Sequence, residues 1–74
     1  MTHTNFNWQG DEDDAVCDYC LYLLRVECMD KDSYWWQVYD TSGGATLGYD
    51  IMGNGYTESM SEAKKRAEQI VREL

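Results

Sequence analysis

From Tyr19 the chain alternates: Cys20, Tyr22, Leu24, Val26 and Cys28 fall on one side of an extended segment, and Leu21, Leu23, Arg25 and Glu27 on the other. Its far half pairs apolar with charged positions. Its near half is apolar on both sides, as expected of a strand that something covers. Asp30-Lys31-Asp32-Ser33 is a polar connection, and Tyr34-Trp35-Trp36-Gln37-Val38-Tyr39 is the strongest strand signal by residue type, so the two segments form a hairpin. Trp36 and Val38 share a face and belong to the core. Trp35, Gln37 and Tyr39 then lie on the other face, where an aromatic patch is either an interface or covered by residues 1–14. Ser42-Gly43-Gly44-Ala45 reads as a turn. Thr46 to Met52 follows as a third strand, with Leu47, Tyr49 and Ile51 facing one way, and Gly53-Asn54-Gly55 ends it. Tyr56 is placed to staple the following loop to the sheet.

The period then changes. Ser59 with Glu62 three residues on is a capping box, and Met60, Ala63, Ala67, Ile70, Val71 and Leu74 recur at helical spacing. That stripe faces the sheet, while Lys64, Lys65, Glu68, Arg72 and Glu73 face water. In the N-terminal part, Phe6 and Trp8 alternate with Asn5 and Asn7 as a short edge strand or an arm pinned by two aromatics. Asp11-Glu12-Asp13-Asp14 starts a short helix reaching about Asp18, because carboxylates suit a helix N-terminus. The expected fold is a single α+β domain over residues 1–74. It comprises a polar, acidic arm (1–18), a three-stranded antiparallel meander (19–52) and one amphipathic C-terminal helix (59–74) packed on the sheet.

Composition narrows the function. Three Trp, six Tyr and one Phe in 74 residues, with hydrophobic residues at 43%, supply a core despite a net charge of −8. A domain of this size buries only about 60–65% of its unfolded surface and has no room for a deep substrate cleft. The charge is lopsided. Eleven acids (Asp11, Glu12, Asp13, Asp14, Asp18, Glu27, Asp30, Asp32, Asp40, Asp50 and Glu58) and two bases (Arg25 and Lys31) precede Ser59. The N-terminus lacks a basic start and an apolar stretch, and no apolar run reaches membrane-spanning length, so the expected compartment is the cytosol.

Cys17, Cys20 and Cys28 are odd in number and are read as reduced, small apolar groups. With His3 they make a nominal zinc set, but Cys20 and Cys28 lie eight residues apart in one strand, roughly 26 Å when extended, so no metal or other cofactor is expected. The Cys17-Asp18-Tyr19-Cys20 spacing lacks the helix N-terminus that lowers thiol pKa in redox motifs. A single His in a polar arm, a glycine turn with no phosphate-loop lysine and an Asp30/Asp32 pair without a calcium-loop pattern leave no catalytic constellation. The expected class is a non-enzyme.

Three strands and a helix carrying Ser61-Glu62-Ala63-Lys64-Lys65-Arg66-Ala67 resemble the last part of a double-stranded RNA-binding domain. The first helix of that family is missing, and the sheet region carries minus nine where phosphate must approach. Direct nucleic-acid binding is therefore not expected. The same charges suit a mimic: duplex DNA carries one charge per about 1.7 Å, roughly fifteen over a body of about 25 Å. In size, acidity and layout the chain resembles the small phage-encoded anti-CRISPR and anti-restriction proteins of the DNA-mimic type. That resemblance implies a monomeric inhibitor that occupies the basic, PAM-reading DNA site of a CRISPR-Cas surveillance complex or a similar defence protein in the host cytosol. Candidate partner-binding residues are Asp11, Glu12, Asp13, Asp14, Asp18, Asp30, Asp32 and Asp40, with Trp35 and Tyr39 as aromatic anchors. The competing readings are a small cysteine-based metal or thiol module and an acidic scaffold subunit whose carboxylates only keep it soluble.

Overall fold

A computed structural model describes residues 6–41 and 50–73. Five strands, β1 (Gln9–Gly10), β2 (Asp14–Tyr19), β3 (Tyr22–Asp30), β4 (Ser33–Asp40) and β5 (Asp50–Thr57), precede one helix, α1 (Met60–Glu73). The strands form one antiparallel sheet in sequential order, and α1 packs across β3, β4 and β5 on one face. The α+β class and the helix docked on an antiparallel sheet agree with the sequence pattern. The strand count does not: two strands, β1 and β2, stand where an acidic arm with a short N-terminal strand or helix was expected.

The segment from Asp11 to Asp18 is a turn and then strand β2. Asp11 Oδ1 accepts from the amides of Asp13 and Asp14 at 2.9 and 3.1 Å, and the Asp11 amide donates to the Asp14 carbonyl at 2.9 Å, which closes a turn in place of a first helical turn. Beyond it Ala15 and Cys17 are buried while Asp14, Val16 and Asp18 are exposed, the two-residue period of a half-covered strand. The chain that read as one strand from Cys20 breaks at Cys20-Leu21. Cys20 takes a left-handed φ of 55°, and Tyr19 pairs with Tyr22 across the turn. No Gly, Asn or Pro marks that reversal, so it was illegible.

The Gly53-Asn54-Gly55 stretch, expected to end a strand, is the middle of β5. Neither glycine has a positive φ; both stand where a side chain would crowd its neighbours. A Cβ on Gly55 would lie 3.0 Å from Trp36 Nε1, and one on Gly53 3.2 Å from Ile70 Cγ1. The glycines thus make room for the Trp36 indole and for the helix lying over it. Residues 42–49 lie outside the described residues, and with them the expected turn at Ser42–Ala45 and the placements of Leu47 and Tyr49. Tyr56 is no staple: it is 67% exposed within β5.

The core is one layer between sheet and helix: Cys17, Leu24, Val26, Trp36 and Val38 from the strands, and Ala63, Ala67 and Val71 from α1. Alanines at two successive turns let the helix approach closely over the bulky Trp36. Met60 and Ile70 complete the stripe at its margin, as the spacing predicts, and Leu74 is outside the described residues. Ser59 Oγ accepts from the Glu62 amide at 3.2 Å, capping the helix start. The aromatic arm closes the side of the core: Phe6 and Tyr19 rings are 4.6 Å apart, and the Trp8 indole N–H donates to Glu68 Oε2 at 2.7 Å. The arm therefore packs on the helix side of the sheet. It leaves the face with Trp35, Gln37 and Tyr39 uncovered by residues 6–14.

Candidate functional site

An up-and-down sheet sends alternate connections to the same end. Here the β1–β2 turn, the β3–β4 turn and the β5–α1 junction share one end, next to the N-terminus of α1. Most of the charged residues on those connections and on the element ends beside them are acids. Asp11, Glu12, Asp13 and Asp14 come from the first, Asp30 and Asp32 from the second, and Glu58 and Glu62 from the third; all eight are exposed. The Cys28 amide donates to the Asp13 carbonyl at 2.7 Å, so the first turn is held against the end of β3. With strands about 4.8 Å apart, the rim these connections trace is about 17 Å long. Lys31 lies within it. Lys64, on the first turns of α1, flanks it, lining a shallow groove with Asp11, Glu12 and Tyr34.

The carboxylates are not equivalent. Asp11 is committed to its own turn, and Asp30 Oδ1 accepts from the Lys31 amide at 2.8 Å. Glu12, Asp13 and Asp32 have side chains with no hydrogen bond or ion pair among the described residues, so they point charge at solvent unneutralised. The rim is felt by Tyr34 beside it. Partial desolvation, then the Cys28 thiol and the carboxylates of Asp13 and Glu12, raise the Tyr34 hydroxyl above its ordinary pKa.

The remaining candidate residues are elsewhere. Asp18 and Asp40 sit at the opposite end of the sheet, near the β2–β3 turn, about five residues of strand from the rim. Trp35 and Tyr39 are half-buried on the sheet face away from α1. There the register sets Asp14, Glu27, Trp35 and Tyr56 in one row across the strands and Val16, Arg25, Gln37 and Asn54 in the next. Arg25 pairs with Glu27, and the Tyr39 hydroxyl donates to Gln37 Oε1 at 2.5 Å, which lets Gln37 be buried on an open face. Glu58 and Glu62 were not among the candidates. Only a correct strand count puts the β5–α1 junction at the same end as Asp11 to Asp14.

The thiols are dispersed: Cys17 is in the core, where burial raises its pKa, Cys20 is exposed at the β2–β3 turn, and Cys28 is at the rim end of β3. Among the described residues no three His, Cys, Asp or Glu side chains are grouped to hold a metal ion, and no helix is long and apolar enough to cross a membrane. The chain has no significant match to a family model, a curated protein or a solved structure.

Proposed function

We propose that the protein is a non-enzymatic inhibitor whose acidic rim stands in for the phosphates of DNA and blocks a basic DNA-reading groove, such as the PAM site of a CRISPR-Cas surveillance complex. The observation that carries this reading is the convergence of eight carboxylates, from three connections far apart in sequence, on one end of the sheet. Duplex DNA carries roughly ten charges over about 17 Å, a density the rim approaches. Turns held by Asp11 and by the Cys28–Asp13 hydrogen bond present those charges on a fixed frame, so little ordering cost opposes binding. Such a surface steers association towards Lys- and Arg-lined sites and repels nucleic acid itself.

The test is target-duplex binding by a purified surveillance complex, followed by fluorescence anisotropy with and without this protein. Expected is competition with DNA that weakens tenfold or more between about 50 and 200 mM salt. The triple variant Glu12→Lys, Asp13→Lys, Asp32→Lys leaves the turn-closing Asp11 in place, so it keeps the native circular dichroism spectrum while losing inhibition. Binding indifferent to salt and to competing DNA overturns the proposal.

A further inference from the structure

Strand β5 ends the sheet, and among the described residues nothing pairs with its outer side. Apart from the bulge opposite Val38 and Tyr39, the devices that usually close such an edge are missing among the described residues. Its interior, Ile51 to Thr57, holds no Pro, Lys or other charge, whereas the opposite edge is only the two-residue β1. Beside β5 runs an open groove of about 520 Å³ between the strand and α1. Its floor is the Trp36 indole, reached across Gly55, which has no side chain to cover the ring. Trp36 Nε1 has no hydrogen-bond partner among the described residues. Glu58 and Glu62 line the rim end of the groove and Arg66, one helical turn beyond Glu62, lines it further along α1; none of the three is in an ion pair among the described residues. On the opposite face of β5, Ile51 and Tyr56 are 54% and 67% exposed.

We infer that β5 takes an extended basic segment of another protein as a sixth strand. Backbone pairing along the eight residues of β5 supplies the register. Alternate side chains of the added strand then fall into two environments. Those on the helix side enter the groove, where Glu58 and Glu62 favour Lys or Arg; those on the open side meet Tyr56 and Ile51 and favour aromatic or β-branched residues. A second copy of this chain is a poor occupant. Pairing β5 with its own copy would bring together two bodies of charge −8, each with Glu58 and Glu62 beside the strand. The groove shares Glu58 and Glu62 with the acidic rim, but the two readings part at Glu12, Asp13 and Asp32, which the rim reading needs and strand addition does not.

The probe is a capped eight-residue peptide alternating lysine with tyrosine, titrated into isotopically labelled full-length protein. Expected are shifts and slowed exchange of the amides of residues 51–57. Of two peptides N-methylated on one or the other backbone edge, one should bind at least tenfold more weakly than the parent. The double variant Glu58→Gln, Glu62→Gln should weaken the parent at least threefold with its melting temperature little changed. Four results overturn the inference: no binding at millimolar peptide, both N-methylated peptides binding within twofold of the parent, shifts confined to residues 11–14 and 30–32, or β5–β5 contacts between copies without peptide.

Discussion

Cys17 shows how one residue couples burial to pH. Its thiol lies 1% exposed in the core, and desolvation raises its pKa from the ordinary 9.0 against the lowering hydrogen bond with the Asn7 backbone, with smaller raising effects from Glu68 and Asp18. A raised pKa means that the folded state holds the proton more tightly than the unfolded chain. The stabilisation is therefore complete below the unfolded value and is lost as pH rises through the folded one. Stability to urea should fall above about pH 9, and Cys17→Ala should remove part of that slope. Tyr34, raised from 10.0, has the same sign, so a residual alkaline loss at higher pH should persist in the variant. Urea midpoints of wild type and variant between pH 7 and 10.5 check this; identical slopes would mean that the thiol is not desolvated.

At the scale of elements, β5 is shaped by what lies on it. Replacing a strand glycine by alanine ordinarily helps, by about 0.4–1 kcal/mol, through the unfolded chain. At Gly55 the sign should reverse. The new methyl would sit 3.0 Å from Trp36 Nε1 and 3.2 Å from two ring carbons, and the indole is hemmed in by the core layer. Gly55→Ala should destabilise by about 1–3 kcal/mol, in the range of an overpacked core. A chemical melt reads the value directly, and a neutral or stabilised variant would show that the indole can move aside. The bulge opposite Val38 and Tyr39 has a related role: it puts Met52 and Gly53 towards the helix while Ile51 stays on the open face.

For the molecule as a whole, the rim that could mimic DNA also strains the fold. Eight exposed carboxylates along about 17 Å repel one another at low ionic strength, where the Debye length of roughly 30 Å exceeds the rim. The melting temperature should therefore rise as salt increases from about 10 to 200 mM. The Glu12→Lys, Asp13→Lys, Asp32→Lys variant should melt higher than wild type in low salt and lose that advantage in high salt. Calorimetry at both salt concentrations decides; a salt-independent melting temperature would mean the rim charges are already neutralised within the fold.

The helix, its cap and its buried stripe were written in the sequence, because a 3.6-residue period over fourteen residues is a local signal. So were the faces of β3 and β4, where two-residue alternation put Leu24 and Val26 on one face, Trp36 and Val38 in the core, and Trp35, Gln37 and Tyr39 on the face opposite them. The acids, too, could be counted. What no local pattern carried was β2, because Asp11-Glu12-Asp13-Asp14 fits a helix start as well as a turn, and Cys20 reverses the chain without a turn residue. Nor did it carry the second half of β5: a third strand was expected to end at Met52, because Gly-Asn-Gly means a turn unless a tryptophan from the neighbouring strand needs the space. Those two strands exist through pairing with the strands beside them, and the bounds they take decide that Asp11 to Asp14, Asp30, Asp32, Glu58 and Glu62 share one end while Asp18 and Asp40 do not. Charge is a property of composition; where charges meet is a property of topology.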